Sequence, residues 1–284
     1  MDIVKTTFLL INANPFVDRY MSSYGLEIIK SYCEYHIKGI QIFLVNPFHE
    51  SFYPYQFIKK QITLHNPSLI GISIRNIDDA CAVDGDELNE KTYLRKIKKL
   101  IDAIKIQNSK IPIILGGCSF SYYVRELIEY FDISLGVSGP GEYAFSKILK
   151  LIKEENFNED TVRTIPGLFI RRNNEIIENE STYRLEKEEP FPIWKDPVFH
   201  IHNRCLEQQD KDSFQFAYPV RTHIGCGMQC IYCLESLNKQ ISYRPIKNII
   251  NEIIQLVENY ACKRVFFTNG EINVPDPTFV LNLC

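Results

Sequence analysis

No run of eighteen consecutive apolar residues occurs in this 284-residue chain, so the sequence offers no helix suited to crossing a bilayer. Its first residues, Met1-Asp2-Ile3-Val4-Lys5, have neither the length nor the cleavage signal of a secretory leader. Charge of one sign is missing too: 32 Lys and Arg stand against 35 Asp and Glu, for a formal net charge of -3, and the cations are spread rather than blocked. That argues against nucleic acid held through a general basic face. No Gly-x-Gly-x-x-Gly follows the first apolar run, which disfavours a dinucleotide cofactor. A disulfide framework is also absent. The nine cysteines are odd in number, and six of them (Cys33, Cys81, Cys118, Cys205, Cys262 and Cys284) are scattered. Without an export signal, that pattern fits the reducing cytoplasm, with the scattered thiols as small buried or half-buried residues.

Residues 1–152 alternate short β-branched runs with helical periodicity. The runs Phe8–Ile11, Ile42–Val45, Leu69–Ile74, Ile111–Leu115 and Ile133–Val137 are apolar on both faces, and each ends at a turn former. That is the pattern of buried parallel strands. Between them, Tyr93–Ile106 carries the apolar stripe Leu94, Ile97, Leu100, Ile101 and Ile104. Five strands with crossover helices predict a doubly wound α/β domain, flavodoxin-like or Rossmann-like. Ligands of such sheets sit beyond the C-terminal strand ends. The loops there are Asn12–Tyr20, Arg75–Asp86, Gly116–Phe120 and Ser138–Gly141. The glycines in the last two either let a backbone approach a ligand or only make tight turns.

Residues 153–213 read as a connector. It holds a small hairpin turning near Asn173-Asn174 and a segment punctuated by Pro190, Pro192 and Pro197, with Phe191, Trp194 and Phe199 expected to pack one domain on the other. Arg171-Arg172 reads as a solvated hairpin rather than a phosphate clamp.

Residues 214–284 carry the sharpest motif. A strand over Phe214–Thr222 leads into a loop holding Cys226, Cys230 and Cys233, loosened by Gly225 and Gly227. Thiols at intervals of four and three can wrap one face of a cubane iron–sulfur cluster, and no nearby fourth cysteine closes the site, the next being Cys262. A zinc site using His223 as a further ligand, or three unrelated thiols, are the alternatives. After the loop, a helix opening at Pro245, with Ile246, Ile249, Ile250, Ile253, Leu256 and Val257 on its apolar side, leads to a strand at Arg264–Thr268. Together these make one βαβ unit with the cysteines at the C-terminal end of its first strand, where barrel enzymes place their chemistry.

These motifs resemble those of the B12-dependent (cobalamin-binding) radical S-adenosylmethionine protein family. Cys226, Cys230 and Cys233, with the aromatic Tyr232, match its CxxxCxΦC pattern. Ser73-Ile74-Arg75 resembles its SxL element, with Arg75 in place of Leu; Gly116-Gly117 resembles its GG element, and Gly139-x-Gly141-Glu142 its GxGE turn. The stretch Ser73–Ala80 is similar to the loop offered to the lower face of the corrin. Arg244 and the Phe267–Asn273 segment resemble the elements flanking the first barrel helix, with Asn269 where Asp is common and the role of Glu271 correspondingly open. The DxHxxG motif that gives other B12 proteins a cobalt-ligating histidine is absent from Asn12–Tyr20, so the corrinoid is expected without a histidine from that loop.

The resemblance implies a cobalamin-binding domain followed by the first βαβ part of a radical S-adenosylmethionine partial barrel, truncated within the latter. It implies a [4Fe–4S] cluster on Cys226, Cys230 and Cys233, S-adenosylmethionine on the open iron with Tyr232 near its adenine, and cobalamin at Ser73, Arg75, Asn76, Gly116, Gly117, Gly139, Gly141 and Glu142. In Arg75 the alternative is an ion pair with Asp78 or Asp79. The implied activity is methylation of an unactivated carbon of a small molecule, with electrons from a donor such as flavodoxin or ferredoxin. The alternative is a non-catalytic corrinoid-binding or partner module, completed by a protein that supplies the missing barrel.

Overall fold

In a computed structural model, residues 5–15, 23–77, 90–173, 175–179, 217–228, 230–233, 241–260, 262–268, 270–273 and 276–283 are described. The first part of the chain runs β1 (Thr6–Asn12), α1 (Tyr24–His36), β2 (Ile40–Val45), α2 (Pro47–Glu50), α3 (Pro54–His65), β3 (Ile70–Ser73), α4 (Glu90–Gln107) and β4 (Ile113–Gly116). It continues through α5 (Cys118–Tyr122), α6 (Val124–Phe131), β5 (Leu135–Val137), α7 (Glu142–Lys153), α8 (Glu159–Val162), β6 (Leu168–Arg172) and β7 (Glu175–Glu178). One seven-stranded sheet collects these strands in the order β2-β1-β3-β4-β5-β6-β7. The first five are parallel, in the 2-1-3-4-5 order of flavodoxin-like domains.

The unbroken apolar runs have a simple cause: each strand is covered on both faces. In β1, Phe8 and Leu10 join Leu26 and Cys33 of α1 and Phe145, Ile148 and Leu149 of α7. Leu9 and Ile11, pointing the other way, join Ile58 and Ile62 of α3, Ile97, Leu100 and Ile104 of α4, and Phe131 of α6. The stripe expected between Tyr93 and Ile106 lies within α4, and Ile97, Leu100, Ile101 and Ile104 are fully buried.

The hairpin assigned to the connector belongs to the sheet. β6 runs antiparallel to β5, with Leu135 opposite Ile170 and Val137 opposite Leu168, and β7 follows antiparallel after a turn at Asn173. Leu168 and Phe169 are buried, so β6 covers the edge that β5 would otherwise expose. Arg171 is tied back to Asp132 by an ion pair, and β7 carries glutamates at both ends, a charged edge that discourages further pairing. The Trp194 segment lies outside the described residues.

The second part comprises β8 (Tyr218–Val220), β9 (His223–Ile224), β10 (Ser242–Tyr243), α9 (Ile246–Tyr260), β11 (Val265–Phe267) and α10 (Pro277–Leu283). β8 and β11 are parallel, with Tyr218 opposite Val265 and Val220 opposite Phe267, and α9 lies between them in sequence, which is the expected βαβ unit. β9 and β10 pair antiparallel. A third core joins this unit to α1: Tyr24 and Ile28, one helical turn apart, pack with Tyr218, Val220, Ile249, Leu256 and Phe279. The expected stripe of α9 is therefore split. Ile249 and Leu256 are buried, whereas Ile250, Ile254 and Val257 are exposed on its other side. Among the described residues, no helix is long and apolar enough to cross a membrane.

Candidate cofactor site

Three of the loops at the C-terminal edge of the sheet are joined to one another. In the parallel ladder Ser73 lies opposite Gly116, and the Ile74 N–H donates to the Gly116 carbonyl at 2.7 Å. Beyond the strands the contact continues: the Ser119 hydroxyl donates to the Arg75 carbonyl at 2.6 Å, and the Phe120 N–H to the Ile74 carbonyl at 3.4 Å. Gly117 is what permits this approach. Its φ is +105°, and a Cβ there would lie 2.5 Å from the Ile74 oxygen. At Gly116 the nearest atom to a Cβ, the Val137 oxygen, is 3.6 Å away. Close packing against the Ile74 backbone by itself requires a glycine at 117.

Ser121 carries the connection to the next loop. Its hydroxyl donates to the Gly117 carbonyl at 2.9 Å and accepts from the Gly139 N–H at 2.8 Å. Sequence reasoning assigned no role to Ser119 and Ser121, although Ser-Phe-Ser one residue after a glycine pair is a signal for hydroxyls that bond local backbone. Gly139 has φ +76°, and a Cβ there would meet nothing within 4 Å. Arg75 is half-buried and Asn76 exposed at this edge; Asp78 and Asp79, the alternative partners of Arg75, lie outside the described residues. The β1 loop is tied by amides: Asn12 Nδ2 donates to Ser23 Oγ at 3.0 Å, and the Tyr93 hydroxyl donates to Asn14 Oδ1 at 2.9 Å, both Tyr93 and Asn14 being buried.

Glu142 opens α7, where the helix N-terminus favours an anion. It is only 2% exposed, and its Oε1 accepts from Arg221 Nη1 at 2.5 Å. Arg221 follows β8 directly, so this pair joins the Gly139–Gly141 turn to the strand that leads into the cysteines. Behind it, Tyr24 Oη accepts from the Arg221 N–H at 2.8 Å and donates to Glu252 Oε1 at 3.2 Å. Arg244 pairs with the other Glu252 oxygen and donates to the Arg221 carbonyl at 3.2 Å. Burial raises the pKa of Tyr24, so it stays a neutral phenol. Burial likewise raises that of Glu252, against the opposing charge of Arg244.

The cysteine loop begins after His223, whose ring is buried beside Tyr243 with centroids 5.6 Å apart. Its Nδ1 lies 3.0 Å from Thr222 Oγ1, and burial lowers its pKa. Gly225 takes φ +85°, and the Cys233 N–H closes a turn on the Cys230 carbonyl at 3.0 Å. Cys226 and Cys230 are half-buried and Cys233 is exposed, none of them in a disulfide. Tyr232 is 88% exposed beside Cys230, and their hydrogen bond, followed by the thiol's charge, raises the tyrosine pKa. Among the described residues no three His, Cys, Asp or Glu are gathered closely enough to hold a metal ion. Cys262 lies apart, buried in the third core with its thiol donating to the Arg264 carbonyl at 3.2 Å. Glu271 is exposed, and Asn269 lies outside the described residues.

No family model matches the chain. A curated relative, tryptophan 2-C-methyltransferase from Streptomyces laurentii, is 27% identical over 169 residues, which cover 59% of this chain and 26% of that protein. Among solved structures, the radical S-adenosylmethionine methyltransferase TsrM from Kitasatospora setae, with tryptophan and a S-adenosylmethionine analogue bound, superposes with a TM-score of 0.77 at 20% identity. The match covers 98% of this chain and 50% of that one. The same enzyme with cobalamin and a [4Fe–4S] cluster bound gives 0.76 at 20% identity, over the same shares of both chains. The cobalamin-dependent S-adenosylmethionine radical enzyme OxsB gives 0.68 at 16% identity, over 98% of this chain and 36% of that one. Over almost its whole length the chain has the fold of cobalamin-dependent radical S-adenosylmethionine enzymes. It spans half or less of the length of these relatives.

Proposed function

We propose that this chain provides the corrinoid-binding part and the cluster-bearing part of a cobalamin-dependent radical S-adenosylmethionine enzyme, a methyltransferase of the reducing cytoplasm acting on a small molecule. The observation that carries this reading is the placement of three thiols on one loop that starts just after β9, beyond the first strand of a βαβ unit, with Arg221 of that segment paired to Glu142 of the doubly wound domain. When bound, the cluster with S-adenosylmethionine would supply radical chemistry and cobalamin a methyl group.

The donor set suits an iron–sulfur cluster: three reduced thiols, half-buried or exposed, on a loop turned by Gly225 and lacking a nearby fourth cysteine. Cys226, Cys230 and Cys233 would hold it, and Tyr232 would pack at the adenine. At the edge of the sheet a ligand could approach the Gly139 backbone, where an added Cβ would meet nothing within 4 Å, and Gly117 packs the two neighbouring loops together. Ser73, Arg75, Asn76, Gly116, Gly117, Gly139 and Gly141 would line that ligand. The β1 loop offers the half-buried Asn12 amide tied to Ser23 and the buried Asn14 amide tied to Tyr93 instead of an imidazole, in keeping with a corrinoid that takes no histidine from it. An external donor such as flavodoxin or ferredoxin would reduce the cluster through the exposed cysteine loop.

A second reading, a non-catalytic corrinoid-binding or partner module inactive on its own, accords with the apolar side of α9, which nothing among the described residues covers. Anaerobic reconstitution with iron, sulfide and cobalamin tests both. Cluster absorbance, retained cobalamin and release of 5'-deoxyadenosine from S-adenosylmethionine are expected from the enzyme. Both cofactors retained without release would favour the module, and failure to retain any corrinoid would overturn both readings.

A further inference from the structure

Five polar side chains from distant parts of the sequence meet where α1, α7, β8 and α9 come together: Tyr24, Glu142, Arg221, Arg244 and Glu252. Residue 221 is held from several directions. Its N–H donates to Tyr24 at 2.8 Å, its carbonyl accepts from Arg244 at 3.2 Å, and its guanidinium donates to Glu142 at 2.5 Å. The next residue is held as well, since the Thr222 carbonyl accepts from the Arg244 N–H at 2.8 Å. Cys226 follows four residues after Thr222.

Stability alone is a poor reason for this arrangement. A buried ion pair is often matched or bettered by apolar side chains of similar volume, whereas breaking one strands a charge. The apolar contact of Tyr24 and Ile28 with Val220 and Ile249 already supplies attraction between the two parts. Such attraction is non-directional and leaves the register loose. Charge pairs with fixed hydrogen-bond geometry select one register. Here one end of the clamp is the first residue after the Gly139–Gly141 turn, on the sheet edge, and the other lies five residues before Cys226.

We propose that the Glu142–Arg221 pair, backed by Tyr24, Arg244 and Glu252, fixes the cysteine loop relative to the C-terminal edge of the sheet. Glu142 is then a positioning residue that sets the cluster-to-corrinoid separation, not a contact of the corrinoid. The inference rests on the function proposed above for its consequence, but the clamp itself can be tested without either cofactor.

The experiment compares the wild-type chain with Glu142→Gln, which keeps the side-chain shape and removes the charge. In the cofactor-free protein, amide exchange at residues 220–224 should accelerate by roughly tenfold or more, the scale of one lost charge-assisted hydrogen bond. Amides of β1, β3 and β4 should be unchanged. In the reconstituted protein, both cofactors should be retained, while the magnetic coupling between the reduced cluster and cob(II)alamin broadens. Unchanged protection at 220–224 would overturn the clamp. Unchanged coupling with both cofactors present would overturn its positioning role, and lost corrinoid with normal protection would make Glu142 a corrinoid contact instead. Should Glu142→Gln unfold the sheet, Glu142→Asp, which keeps the charge but shortens the reach, decides by the same readings. A wild-type chain that retains neither cofactor would defeat the proposed function, leaving the clamp to stand or fall on exchange alone.

Discussion

The phenol of Tyr24 donates to the Glu252 carboxylate at 3.2 Å, across 228 residues of sequence. The same oxygen accepts from the Arg221 backbone, so one hydroxyl satisfies a donor and an acceptor in two distant segments. Tyr24→Phe keeps the ring in the third core and leaves both groups short of a partner. A loss of about 1–3 kcal/mol is expected, the range for a buried polar group left unsatisfied. Denaturant unfolding checks it: the transition reported by β8 and α9 should move to lower denaturant, while that of the seven-stranded sheet moves little.

Gly116 and Gly117 are adjacent but differ in what they tolerate. At Gly117 an added methyl meets the Ile74 backbone at 2.5 Å in a left-handed conformation, and at Gly116 it finds ordinary contact at 3.6 Å. Gly117→Ala should therefore cost about 1–3 kcal/mol of backbone strain and weaken cobalamin retention, with Gly116→Ala close to wild type in both. Thermal unfolding and bound-corrinoid absorbance give the comparison. Equal sensitivity at the two positions would contradict the close-approach account.

The parallel strands were legible because each had to be apolar on both faces, a local property that a run such as Phe8–Ile11 displays without its neighbours. Sheet membership of β6 was not legible. Leu168-Phe169-Ile170 reads as a strand, but which edge it joins depends on Val137, opposite Leu168, and on Asp132, 39 residues before its partner Arg171. The clamp was hidden for the same reason, since no local pattern links Tyr24 or Glu142 to Arg221. One signal was available: Glu252 falls on the buried side of α9, between Ile249 and Leu256, and a carboxylate in such a stripe needs a partner. The sequence puts Ile250 and Val257 on one apolar side with Ile249 and Leu256, because periodicity reports composition around a helix, not what covers it.

That split face has a measurable consequence. Leu256 is fully buried, so Leu256→Ala should cost about 2–5 kcal/mol. Ile254, on the open side, is 46% exposed, and Ile254→Asn should change the stability of this chain by no more than about 0.5 kcal/mol. Denaturation midpoints at matched protein concentration distinguish the two.

His223 makes stability depend on pH. Burial lowers its pKa below the ordinary imidazole value of 6.5, so the unfolded chain takes up the proton first. Its contribution is fully present above that value, declines as pH falls below it, and stops changing once pH is below the folded pKa. His223→Gln should flatten the unfolding free energy between neutral and mildly acidic pH. A wild-type profile that rises on acidification over that window would contradict the sign.

The cysteines of the loop should be separable from those of the cores. None of Cys226, Cys230 and Cys233 belongs to a buried cluster, whereas Cys262 packs in the third core, where burial pushes its thiol pKa up. A thiol that resists ionisation is a poor iron ligand, because the thiolate is the species that binds. Each of Cys226→Ala, Cys230→Ala and Cys233→Ala should abolish most of the cluster absorbance after anaerobic reconstitution while leaving the far-ultraviolet circular dichroism unchanged. Cys262→Ser should do the reverse, keeping the iron and lowering the unfolding midpoint, since it places a hydroxyl among Tyr218, Leu256 and Phe279. Chelation of the reconstituted protein should likewise remove the iron without unfolding the sheet, whose two cores draw on no residue of the loop. Iron lost from Cys262→Ser at an unchanged midpoint would make it a cluster ligand and undo the assignment of an open coordination site.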